Sequence, residues 1–245
     1  MAKPMLMRWI LLLSIWVVGS IPTQAQLVSG EGPPPTPKQL LKRRGVSLDT
    51  NSLVAALKNK DREIRYLAAQ ELANDGIRSA VPALIAAVQS EGDLRTRINI
   101  ASALAQLGST RGFDVLRHVC MDQALNVEER LLTIQYLLNL NDQSCNKIAL
   151  EMLKPDSEAG IRVQAMHLLR RMTAISSAER LRALNLVHDS LFDQESSVKL
   201  TASDTLVWLS DKTAIPVFER AIADESNAEV ASKLKTDLKR LVEKE

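Results

Sequence analysis

The chain has 245 residues, 46% of them hydrophobic and 24% charged, with 31 Lys plus Arg against 29 Asp plus Glu. That apolar share suffices for a packed core and excludes global disorder, and the length allows one or two domains. Two Cys exclude a disulfide-dense scaffold and a four-thiolate zinc site, and 3% aromatics argue against carbohydrate or single-strand nucleic-acid binding, which lean on stacking.

The first segment reads as an address. Lys3 and Arg8 give a positive start, Trp9 to Val18 is an apolar run, and Gly19, Ser20 and Pro22 break it. Thr23 and Ala25 then place small side chains three and one residues before a cut, so residues 1–25 read as a cleaved secretory signal. The apolar run is about half of the roughly 20 residues that span a bilayer; an uncleaved anchor is the rival reading. Without residues 1–25, which hold Lys3 and Arg8 and no acid, the 31 basic residues become 29 and balance the 29 acids. A net-neutral chain exerts no global pull on nucleic acid or anionic membrane, so neither is expected as a partner. No membrane span is expected after cleavage. Residues 26–47 follow as a Pro/Gly-rich linker and a short lead-in helix. Gln26 to Pro37 favours an extended tether, read as a spacer rather than as a proline-motif ligand.

Residues 48–245 repeat. Basic markers at Arg65, Arg97, Arg130, Arg162 and Lys199, with a weaker match at Ala231, are spaced 32, 33, 32, 37 and 32 residues apart. Seven positions after each comes Leu72, Leu104, Leu137, Leu169, Leu206 or Leu238. Four positions before each comes Asp61, Asp93, Asn126, Glu158, Glu195 or Asn227. Asp and Asn side chains accept from the free N–H groups of a first helical turn, and Glu suits the positive end of the helix dipole. These positions therefore start the second helix of each unit. A first helix precedes it, with Pro82 and Pro216 near two starts and apolar residues stepping by three and four. Those core faces are Val81, Leu84, Val88; Phe113, Leu116, Cys120; Cys145, Ile148, Met152; Leu181, Leu184, His188; and Ile215, Phe218, Ile222. The fold class is all-α, an α-α superhelix of about six helix pairs. The extra residues around Ser176 to Gln194 read as a longer first helix. The polar last pair, with Lys233, Lys235, Asp237, Lys239 and Arg240, reads as a solvated end cap.

On the stretches Asp61–Gly76, Asp93–Gly108 and Ala80–Val88, the unit resembles the HEAT repeat in the short form of the phycobilisome lyases. The resemblance covers nearly all of residues 48–245 and implies an interaction scaffold more often than an enzyme. It also implies a ladder of Asp–Arg contacts between stacked units at the marker residues, against the alternative of an anion groove. The similar deoxyhypusine hydroxylases build a di-iron site from His-Glu pairs, which His118, His167 and His188 do not form; no metal and no cofactor are expected. His188 reads as a satisfied boundary residue. Cys120 and Cys145 take the last and first core positions of neighbouring first helices. Adjacent first helices run roughly parallel, which offsets the two by about seven residues, roughly 10 Å along the axis, so two buried free thiols are expected.

Second helices line the concave side of such stacks. Positions two, five and nine after the marker share one face there. They carry Gln70 and Asn74, Asn99 and Gln106, Gln135 and Asn139 in the first three units, with Leu67, Ser102 and Leu132 beside them. They carry Gln164, His167, Arg171, Asp204 and Trp208 in the next two, and Arg240 at the end. Amides suit peptide backbone, and Trp and Arg are frequent interface anchors, although Trp208 at a repeat junction and a merely solvated face are the plain readings. The function expected is a non-enzymatic scaffold, exported to the periplasm or beyond, that binds a protein or peptide on this face. A lyase-like chromophore-handling enzyme and a structural envelope subunit are the rivals.

Overall fold

All six positions expected to cap second helices do so in the computed structural model, which describes residues 34–244. The side chains of Asp61, Asp93, Asn126 and Asn227 accept from backbone N–H groups of the first turn. Glu158 and Glu195 occupy the same place without a side-chain bond, as the longer carboxylate cannot fold back as readily. The expected signal segment and the tether up to Pro33 lie outside the described residues. Among the described residues no strand is present, and no helix is long and apolar enough to cross a membrane.

The helices run α1 (Pro37–Arg43), α2 (Thr50–Ala56), α3 (Arg62–Asn74), α4 (Val81–Ser90), α5 (Leu94–Gln106), α6 (Thr110–Met121) and α7 (Val127–Asn139). They continue as α8 (Asn146–Glu151), α9 (Ala159–Leu169), α10 (Ser177–Asp189), α11 (Ser196–Leu209), α12 (Ile215–Asp224) and α13 (Ala228–Glu243). Pairs form as α2/α3, α4/α5, α6/α7, α8/α9, α10/α11 and α12/α13. The second helices touch in an unbroken row, α3 on α5, α5 on α7, α7 on α9, α9 on α11 and α11 on α13. This is a HEAT-like helical solenoid. Pro37 sits at the first position of α1 rather than in the tether, where its missing N–H costs nothing. α1 lies antiparallel on α3: Lys38 at its start meets Glu71 and Asp75, and Arg44 just past its end meets Asp61 and Glu63.

The end of each second helix is set as firmly as its start. Gly76, Gly108, Asn141 and Ser210, all eleven positions after a marker, take left-handed φ values of 66°, 85°, 60° and 56°. The residue after each donates its N–H to the carbonyl of the repeated leucine, Leu72, Leu104, Leu137 or Leu206. This is the Schellman closure, which turns the chain toward the next first helix. Thr173 holds the same place in the fourth unit without that geometry, and α9 is correspondingly short. Gly112 of α6 lies so close to α5 that a Cβ would fall 2.4 Å from the Ala105 nitrogen. Only glycine allows that approach.

The marker cations form rungs, with a different acid from the one expected. Arg65 binds Glu91 at 2.6 and 2.8 Å, Arg162 binds Asp193 at 2.7 Å, and Lys199 binds Glu225 at 2.5 Å. Each acid stands two residues before the next unit's cap and also accepts the cap's own N–H. One cap joins directly, Asp93 with Arg62 at 2.9 Å. Arg130 donates to the Cys120 carbonyl, and Arg97 has no partner among the described residues, so the markers do not form an anion groove.

Three expectations need correction. Cys120 and Cys145 are joined in a disulfide, with Cα atoms 6.5 Å apart. The first helices are not in register there: α8 has only six residues, and Cys145, at its N-cap, meets the last turn of α6. Leu181 is 61% exposed; the inward face of α10 is Ala183 and Val187, continued by Leu191, a stripe stepping by four that leaves Leu181 on the opposite side of the helix. Asp237 is fully buried rather than solvated, bonded to Ser203, Lys233 and Arg240. A buried carboxylate requires such partners.

Two outcomes follow. Reduction of the bridge, or Cys120→Ala with Cys145→Ala, is expected to lower unfolding free energy by about 3 kcal/mol, read as a lower urea midpoint with reductant than without. Acid is expected to weaken the stack. The Arg65 guanidinium holds Glu91 below its ordinary 4.5, and the Lys199 ammonium does the same for Glu225. A hydrogen bond from Ser52 brings Asp49 down to about 2. Groups depressed in the folded state stabilise it above their unfolded pKa and lose that contribution as pH falls through the folded value. The urea midpoint should therefore hold above about pH 5 and fall progressively from about pH 4.5 downward. Glu91→Gln with Glu225→Gln should lower it at pH 7 and flatten that acid slope.

Candidate functional site

The row of second helices leaves an open cavity of about 710 Å³ across α3, α5 and α7. Helix geometry puts its lining in phase: Asn99, Ser102 and Gln106 follow one another at three and four residues on α5, the middle helix. Gln70 reaches it from α3 and Asn139 from α7. Gln70, Asn99, Gln106 and Asn139, all expected on the binding face, are thus brought together. Asn74 and Gln135 are exposed but lie outside the cavity, and Leu67 is buried in the core at 2% exposure.

Two tyrosines missed in the sequence complete the site. Tyr136 of α7 donates its hydroxyl to Asn99 Oδ1 at 2.7 Å, bridging to α5, and Tyr66 of α3 lines the near wall. Burial pushes both phenols above their ordinary 10, so both stay neutral at physiological pH. Arg62 and Arg95 contribute cations, and Glu63 and Asp93 contribute anions. The signal in the sequence was rarity: the chain has two tyrosines, and both stand on second helices within a unit's length of the amide stripe.

The remaining expected residues separate. Gln164 and His167 are exposed on α9 and Arg171 is exposed just past its end; none of the three lines the amide cavity. Desolvation, with Arg170 beside it, holds His167 below its ordinary 6.5. Arg170, one position from the expected Arg171, turns inward and donates to Thr205 Oγ1 at 2.9 and 3.0 Å, tying α9 to α11. Asp204, Trp208 and Arg240 do share a second, open groove of about 560 Å³ at the C-terminal end. Trp208 is 55% exposed, which a residue packed at a junction would not be, and Asp204 binds Lys233 at 2.8 Å. His188 is half-buried and paired with Asp211 at 2.7 Å, as a boundary histidine would be. Among the described residues no group of three His, Cys, Asp or Glu side chains could hold a metal ion.

The HEAT-repeat family model matches residues 50–131, which span α2 to α7 and most of the amide cavity. No curated protein matches the chain. An engineered protein is similar at 17% identity over 78% of this chain and 96% of its own, with a TM-score of 0.45. The complex of CpcE and CpcF of phycocyanin lyase from Nostoc sp. PCC7120 is similar at 18% identity over 65% and 98%, with a TM-score of 0.46. Human deoxyhypusine hydroxylase in complex with glycerol is similar at 15% over 83% and 80%, with a TM-score of 0.39. At these scores none of the three bears on what this chain does. Residues 50–131 match HEAT repeats, and the helix pairs after them continue the same stack.

Proposed function

We propose that the chain is a non-enzymatic scaffold that holds an extended stretch of a partner protein in the cavity across α3, α5 and α7. The observation that carries this reading is the set of amides and hydroxyls there. Gln70, Ser102, Gln106 and Asn139 make no hydrogen bond among the described residues, although they line a concave surface. Each amide offers two donors and an acceptor, which matches the alternating N–H and C=O of an extended backbone. Neighbouring helix axes stand about 8–10 Å apart, so the cavity crosses roughly 16–20 Å, the reach of about five extended residues. The aromatic walls of Tyr66 and Tyr136 add contact area at little cost in side-chain freedom. We place the protein outside the cytoplasm, in the periplasm or cell envelope, after loss of residues 1–25. The charge pattern and apolar run at the N-terminus support this, as does a bridged Cys pair, which persists in oxidising compartments.

Peptides selected on the immobilised chain from a displayed random library should bind it. The triple change Gln70→Ala, Gln106→Ala, Asn139→Ala should weaken them at least tenfold with the unfolding midpoint unchanged, since all three side chains are exposed. Peptides that bind the triple variant as well as the parent would end the reading. N-terminal sequencing of the protein from an envelope fraction should begin at Gln26; an intact Met1 on protein kept in the cytosol would remove the export assignment.

A further inference from the structure

Four charged side chains line the amide cavity, and three of them are already engaged. Asp93 binds Arg62 at 2.9 Å and also accepts from the Thr96 backbone and hydroxyl, at 2.9 and 2.8 Å. Glu63 binds Arg44 at 2.5 Å. Arg95 is left: it is exposed at the cavity and has no ion pair or hydrogen bond among the described residues. Its charge also acts on the Tyr136 phenol, against the rise that burial causes.

The neutral groups nearby are biased the same way. Tyr136 occupies Asn99 Oδ1, which leaves the amide nitrogen of Asn99 as its free end. Asn99 follows Arg95 by four residues on α5, so the two side chains share one face. The Tyr66 hydroxyl has no partner among the described residues, and burial keeps it protonated and able to donate. An unpaired guanidinium, an amide NH2 and a phenol OH at one cavity form a donor set with one uncompensated positive charge. Planar guanidinium forks match carboxylates in a bidentate manner.

We propose that the cavity selects segments carrying a carboxylate, an Asp or Glu side chain or a free C-terminus, seated among Arg95, Asn99 and Tyr66. This rests on the reading of the cavity as a peptide site. A lysine side chain finds no such place, because both acids of the lining are held by arginines.

Three five-residue alanine-based probes test it: a central Glu with an amidated end, a central Gln with an amidated end, and a central Gln with a free C-terminal carboxylate. Each is titrated into the full chain while the side-chain amide NMR signals of Gln70, Asn99, Gln106 and Asn139 are followed. The Glu probe or the free-carboxylate probe, or both, should bind roughly tenfold or more tighter than the amidated Gln probe. The advantage should vanish in Arg95→Gln and shrink with added salt. Preference for the Glu probe assigns the side chain, and preference for the free end assigns the C-terminus. If all three bind alike and Arg95→Gln changes nothing, carboxylate selection is overturned while peptide binding stands. If none of the probes moves the amide signals, both fail.

Discussion

A helix pair of about thirty residues carries an apolar stripe on each helix and nothing of its own to cover both, so it is stable only against a neighbour. Every other feature follows from that need. Stacking demands a constant stride, and the stride is set at both ends of each second helix. A capping residue fixes the start. A left-handed residue eleven places after the marker fixes the stop, by returning an N–H to the carbonyl of the repeated leucine. That leucine thus has two tasks, since its side chain fills the core while its carbonyl closes the helix. The ends of the stack are managed differently. α1 covers α3 with Leu41 and two clusters of ion pairs, and α13 is pinned to α11 through Asp237.

Joints between units are not uniform. Ionic rungs connect the first pair to the second, the fourth to the fifth and the fifth to the sixth. At the second joint the position two before the cap is Ala124, which cannot receive Arg97. At the third, Asp156 is present but unused, and Arg130 turns to the Cys120 carbonyl instead. The disulfide crosses that third joint, from α6 to the start of α8. A covalent link therefore stands where the ionic one is missing and where the first helix is shortest.

Local signals made the architecture legible. Caps, prolines at helix starts and a leucine every unit act within a turn or two, so period and phase could be read directly. What escaped reading depends on relations between units. The Cys120–Cys145 bridge is hidden in the sequence because parallel, equal first helices would hold the two apart, and a six-residue α8 breaks that premise without any local mark. Leu181 looked like core because apolar spacing fits two stripes of α10, and packing buries the one through Ala183 and Val187. Asp237 looked solvated because its burial comes from packing on α11, where Ser203, 34 residues away, bonds it. The candidate site was half legible for the same reason. The amide stripe follows from helical phase, but Tyr66, Tyr136 and Arg95 enter through the angle at which α3 and α7 flank α5.

The cavity's place along the stack has its own cause. Some equivalent positions in the C-terminal half are occupied by bonds: Asp204 with Lys233 and, beside them, Arg170 with Thr205 join neighbouring helices, and Arg240 binds Asp237 on its own helix. Along α3, α5 and α7 the stack is held instead by apolar packing, the Arg65–Glu91 rung, the Arg62–Asp93 pair and the Tyr136–Asn99 bond, while Gln70, Ser102, Gln106 and Asn139 have no side-chain hydrogen bond among the described residues. Polar side chains at one helical phase therefore serve cohesion at one end and remain free at the other. A rigid frame with unbonded donors and acceptors on its concave wall is preorganised for a ligand that brings its own backbone groups, because the frame gives up little freedom when that ligand arrives.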